Sequence, residues 1–227
     1  GLVCNALEVM WSHGGAVLAP GGSVVDSSEN REALTFMRSL IEPREISPHS
    51  VTTAMEEQSR MLFGQGRAVF LRNWPYAYAL DNDPKSSKIA GKFDVHPMPH
   101  GGSNTVGHSC LGGWQYGINA FSKNPDAAWK FIHYMLSLDA QKTLAMQLSL
   151  LSTLKSIYTD PDVLTAVPFF GKMQSVLQNA KPRPVSPFYP DITAAIQKHV
   201  HDALIKQASP QQALSQLQSA LQTIVNK

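Results

Sequence analysis

Two short stretches, Arg72-Asn73-Trp74-Pro75-Tyr76 and Leu111-Gly112-Gly113-Trp114, decide how this chain is read. The first follows Ala68-Val69-Phe70-Leu71, an apolar run that reads as a buried strand once Gly64 and Gly66 have closed a helix. The second opens a segment, Gly112 to Ile118, that reads as another strand. Each sets a flat indole where proline or glycine interrupts the backbone. Ligands of open α/β sheets bind beyond the carboxyl ends of the strands, so a ring placed there reads as an apolar platform surrounded by polar groups. Such a platform suits a sugar, whose axial C–H bonds lie on the ring while its hydroxyls find hydrogen bonds. The alternative, that both tryptophans are core residues, fits a lone Trp better than two in the same setting.

Outward from these motifs the chain alternates helices with short strands. Leu2 to His13 carries Val3, Leu7, Met10 and Trp11 at helical spacing and stops at Gly14-Gly15, which makes Trp11 a core residue. A second helix starts near Ser28 and runs to Ile41 before Pro43. Thr53-Ala54-Met55-Glu56 matches a capping box, which gives Glu56 a structural role. A strand is expected over 93–95. Asn124-Pro125 supplies a cap and a first-turn proline to a helix through Ala128, Phe131, Ile132 and Met135, with Trp129 on an apolar face. Further helices are predicted over 139–148, 161–167, 169–180, 192–205 and 210–225, the last capped by Ser209. The prolines between Lys181 and Pro190 hold that stretch extended.

With 227 residues, 43% of them apolar and only 16% charged, the chain can bury a real core as one large domain or two lobes. Its net charge of +2 is small and its cations are scattered, so no basic stripe points to nucleic acid or an anionic membrane. No apolar run approaches the ~18 residues of a spanning helix. The first residues lack the charged, apolar and small-residue pattern of a secretory signal. Because the chain opens at Gly1-Leu2 inside an amphipathic pattern, without Met or cap, it reads as a C-terminal fragment. Cys4 and Cys110 have no zinc spacing and are either buried small hydrophobes or one bridge closing a long loop.

Other chemistries fit poorly. Gly107-His108-Ser109-Cys110-Leu111 lacks the last glycine of a hydrolase nucleophile elbow. His96 and His100 are separated by Pro97 and Pro99, which forbid the helix that would align them on zinc, and His199 and His201 face apart on theirs. Pro20-Gly21-Gly22-Ser23 lacks the Lys and the following helix of a phosphate loop. No metal and no cofactor are expected. A carbohydrate-active enzyme would need two carboxylates across the sugar, and the acids nearest a Trp motif, Asp81 and Asp83, read as loop residues. A helical interaction module without a small-molecule ligand is the other alternative, suggested by the helical C-terminal region.

Gly1-Leu2-Val3-Cys4-Asn5, Glu56-Glu57, Phe63-Gly64-Gln65-Gly66-Arg67-Ala68, the two Trp motifs, Asn124 to Phe131 and Pro182-Arg183-Pro184 occur here in one shared order. In that order the chain resembles the family 1 extracellular solute-binding proteins, the sugar-binding subunits of bacterial ABC importers, and most of all their trehalose/maltose-type members. The resemblance implies an α/β, two-lobed fold of the type II periplasmic-binding-protein kind, here a helix-rich C-terminal part lacking most of the first lobe. Residues 1–112 would belong to the second lobe, 113–155 would cross the hinge into the first, and 156–227 would return to the second. It also implies a disaccharide or short oligosaccharide bound in an interlobe cleft. Trp74 and Trp114 would stack on sugar rings, Tyr76 would offer an aromatic edge with a hydroxyl, Gly113 its backbone, and Arg183 its planar donors. Asn73 is either a hydroxyl partner or a strand-end cap. Where the family tends to read Pro-Thr-Arg, this chain has Ser152-Thr153-Leu154, which puts a contact from that loop in doubt. The implied partners are the transmembrane permease subunits, with a monomeric receptor placed in the periplasm or outside the cell and a lipid anchor as one option for the full-length protein.

Overall fold

Helices form wherever apolar residues recur every three or four positions with a cap at one end, and the computed structural model, which describes all 227 residues, is built mainly of them. In chain order they and four two-residue strands are α1 (Leu2–Ser12), β1 (Leu18–Ala19), β2 (Gly22–Ser23), α2 (Ser28–Ile41), α3 (Glu56–Gly64), α4 (Tyr76–Asp81), β3 (Cys110–Leu111), α5 (Pro125–Met135), α6 (Leu138–Leu148), α7 (Pro161–Ala166), α8 (Phe170–Gln178), β4 (Lys181–Pro182), α9 (Tyr189–Leu204) and α10 (Pro210–Val225). No helix is long and apolar enough to cross a membrane. The chain divides into two compact units, the first made of 1–59, 97–111 and 176–227 and the second of 60–96 and 112–175.

In the first unit α1, α2, α9 and α10 surround one apolar core. Val3, Ala6, Leu7, Met10 and Trp11 of α1 meet Ala33 and Leu34, Ile192, Ile196 and Val200, and Leu214, Leu217 and Leu221. Trp11 is buried, as its helical spacing predicts. Ser209 caps α10 by accepting the Gln212 N–H, and Gln212 reaches back to the Ser209 N–H, so two orphan donors are satisfied at once. Pro20-Gly21 turns β1 into β2, with Gly21 at φ +100°, a conformation that suits glycine. Gln218 of α10 then brackets the hairpin, donating to the Ser23 carbonyl at 2.6 Å and accepting from its hydroxyl at 3.0 Å. β3 and β4 pair in parallel, Cys110 with Lys181 and Leu111 with Pro182.

The second unit is held by aromatic contacts. Phe93 meets Phe63 and Tyr78, Tyr78 packs on Phe169, and Phe170 stacks on Tyr158. This cluster explains why residues 60–96 group with the segment up to Ser175.

Three expected strands, 68–71, 93–95 and 112–118, form no ladder here. A strand exists only where a neighbour takes up its N–H and C=O groups, and none of these three segments is paired in a ladder. Val69 and Phe70 are exposed, and so is every residue from Leu111 to Phe121. Trp129, expected on a buried helix face, is 58% exposed, because α5 buries none of its residues. The Thr53 capping box is also absent: Thr53 donates to the Ser50 carbonyl, and the N–H at the start of α3, that of Met55, goes to Gln58 Oε1 at 2.7 Å.

Candidate functional site

Trp74 is fixed from several sides within the second unit. Asn73 Oδ1 accepts the Trp74 N–H at 2.7 Å, and the Trp74 carbonyl accepts from Ala77 at 3.0 Å, which ties the residue to the entry of α4. Pro75, at φ −55°, presets that entry. The Arg72 guanidinium lies 4.3 Å over the indole, because residues two apart on extended backbone share a side. Gly112 closes the edge of the ring: a β-carbon there would stand 3.3 Å from Trp74 Cζ3. The two Trp motifs thus meet, ring edge to glycine.

Tyr76, half-buried, opens α4 two residues beyond Trp74. The far end of that helix is anchored by Asp81, which is 1% exposed and receives Arg60 Nη1 at 3.0 Å. Asp81 is therefore a buried helical residue, not a loop acid. Gly113 faces open space, and Trp114 is 98% exposed, outside any helix or strand. Arg183 belongs to the first unit. It follows β4, is exposed, and holds its guanidinium 5.4 Å over the ring of Tyr189, whose hydroxyl is buried without a hydrogen bond.

The loop that departs from Pro-Thr-Arg is a structural knot. Ser152 is buried and donates to Gln141 Oε1 at 2.9 Å, while the Tyr158 hydroxyl donates to the Ser152 carbonyl at 2.6 Å. Burial pushes the Tyr158 phenol up to about 12. Two concavities of the first unit, one bordered by Arg38, Glu42, His49 and Lys206 and one by His13, Arg31, Phe36 and Arg44, include none of the five expected site residues. No three His, Cys, Asp or Glu side chains gather as a metal would require.

Sequence reasoning quoted Arg72 and Gly112 within the two motifs but gave neither a contact with the Trp74 ring, and it did not single out Tyr189 beneath Arg183. The i, i+2 spacing of Arg72 and Trp74 was the available signal for the first. Nothing local signals the partner of Gly112 or the place of Tyr189.

Residues 4–142 match the model of the bacterial extracellular solute-binding protein family. The chain belongs to that family. This solute-binding protein is 38% identical over 229 residues to a probable ABC transporter-binding protein of Deinococcus radiodurans, covering 99% of the chain and 54% of that relative. Its structure superposes on maltose-bound MalE3 of T. maritima with a TM-score of 0.94 and 41% identity, covering 99% of this chain and 57% of that one. A ribitol complex of an ABC transporter solute-binding protein from Agrobacterium radiobacter gives 0.83 and 28% identity, over 96% and 56%. The fold is thus that of the two-lobed periplasmic-binding proteins, in a helix-rich portion, and the chain spans a little over half the length of these relatives.

Proposed function

We propose that the protein is the sugar receptor of an ABC importer, binding a disaccharide or short oligosaccharide of the maltose or trehalose kind and handing it to the permease. The observation that carries this reading is the meeting of Trp74 and Gly112, which brings two tryptophan motifs to one place on the second unit, one indole pinned beneath Arg72 and the other fully exposed. Trp74 and Trp114 serve as stacking platforms, Tyr76 as an aromatic edge with a hydroxyl, the Gly113 backbone as a close approach, and Arg183 as a fork of donors for vicinal hydroxyls. The sugar complexes among related structures support the ligand class. The receptor acts in the periplasm or outside the cell, as a monomer, and performs no chemistry on its ligand.

Calorimetric titration of the full-length protein with maltose, trehalose, maltotriose and ribitol tests this. Trp74→Ala and Trp114→Ala should each weaken disaccharide binding by about 1–3 kcal/mol, the scale of a lost aromatic contact, with the circular dichroism unchanged. Turnover of any sugar would favour a carbohydrate-active enzyme. Undiminished affinity in both variants would remove the platform, and binding of none of these sugars by the full-length protein would favour a helical interaction module.

A further inference from the structure

The two thiols of the first unit lie on neighbouring elements. Cys4 and Glu8 stand one helical turn apart on the same side of α1. The buried Glu8 carboxylate accepts the Cys110 N–H at 2.8 Å, which fixes the start of β3 against that side. Cys110 is 5% exposed and belongs to the core around α1; Cys4 packs on the same core while remaining partly exposed. Both thiols are free in the structure, and hydrogen bonding to Cys4, followed by burial, raises the Cys110 thiol well above the ordinary thiol range. No step of sugar binding uses either sulfur.

We propose that Cys4 and Cys110 are a disulfide-forming pair, oxidised by thiol–disulfide exchange and fastening α1 to β3 immediately before Gly112-Gly113-Trp114. The oxidant is a disulfide, either oxidised glutathione or the active-site disulfide of a thiol oxidase. Cys4, the accessible sulfur, loses its proton and attacks one sulfur of that disulfide, releasing the first thiol and leaving a mixed disulfide on Cys4. Cys110 then attacks the Cys4 sulfur, the second thiolate departs, and that thiolate takes the Cys110 proton. Two protein thiols are oxidised and one external disulfide is reduced to two thiols. An extracellular family meets the oxidising conditions this needs. The bridge closes a loop of about 100 residues, a length at which constraining the unfolded chain has a large effect.

The test uses the reduced full-length protein, treated with oxidised glutathione while folded, then alkylated in denaturant and digested with trypsin. The peptide ending at Arg31 should be recovered joined to Phe93–Lys123 through Cys4 and Cys110. The melting temperature should rise by about 5–10 °C on oxidation, the loop-closure gain expressed for a protein of this size. Cys4→Ser, at a partly exposed position that tolerates the change, should show neither the joined peptide nor the rise. Recovery of both cysteines alkylated, or of each carrying glutathione, would overturn the proposal.

Discussion

At the residue scale, Arg60 and Asp81 hold the tryptophan platform from behind. Asp81 ends α4, the helix that Trp74-Pro75 begins, and its carboxylate is out of water against Arg60 Nη1 at 3.0 Å. Gly64 makes this possible, since a β-carbon there would come within 2.8 Å of Asp81 Oδ1. Removing one partner of a buried pair strands the other charge, a loss of about 3–5 kcal/mol. Asp81→Ala should therefore lower stability by that order in urea unfolding, while the folded fraction keeps its sugar affinity. A change below about 1 kcal/mol would mean that Arg60 finds water when the carboxylate goes, as exposed pairs do. The pair is illegible in the sequence because its members are 21 positions apart and neither belongs to a motif. The setting of Trp74 is legible only in part: Asn73, Trp74 and Pro75 are consecutive, but the helix Tyr76–Asp81 that follows them is not foreseen, Asp81 reading as a loop residue.

At the scale of elements, α9 carries a histidine whose charge the fold opposes. Burial, and then the neighbouring Lys198, hold the His199 pKa below its ordinary 6.5. The unfolded chain consequently takes up a proton at a higher pH than the folded one. The stabilisation is present above pH 6.5 and is lost as pH falls through 6.5 toward the lower folded value. The melting temperature should fall between pH 7.5 and 5.5, and His199→Gln should fall less over the same interval. Equal losses in both would place the pH dependence on other groups. The helices themselves are largely legible because their signals are local. Ser209, Pro210 and Gln212 mark the start of α10 within four residues, and the predicted span of 210–225 coincides with the observed helix. The strands are not, because a ladder depends on a partner that the strand's own residues do not specify. Ala68 to Leu71 has strand composition and no strand, whereas Lys181-Pro182, read only as extended, pairs with Cys110-Leu111.

At the scale of the whole molecule, the segments 68–71 and 112–118 and the helix α5 share one property, the exposure of their large apolar side chains. Val69, Phe70, Trp114, Phe121, Trp129, Phe131 and Tyr134 are all exposed. The chain spans 54–57% of the relatives that share its fold, so a protein of their length has further residues with which to pair the open backbone and cover these rings. Hydrogen exchange reads this directly. In the 227-residue chain the amides of Val69, Phe70 and Gly113 to Ile118 should exchange at nearly unprotected rates, since their backbone joins no ladder, while the Leu214 and Leu217 amides of α10 exchange slowly. In the full-length protein the same amides should slow by at least about a hundredfold, the protection that ~3 kcal/mol of local stability confers. Adding a saturating disaccharide should slow Gly113 and Trp114 further and leave α10 unchanged. Equal, fast exchange of these segments in both proteins would show that the rest of the molecule does not build strands on them, and that Trp114 stands on a loop rather than at the end of a sheet.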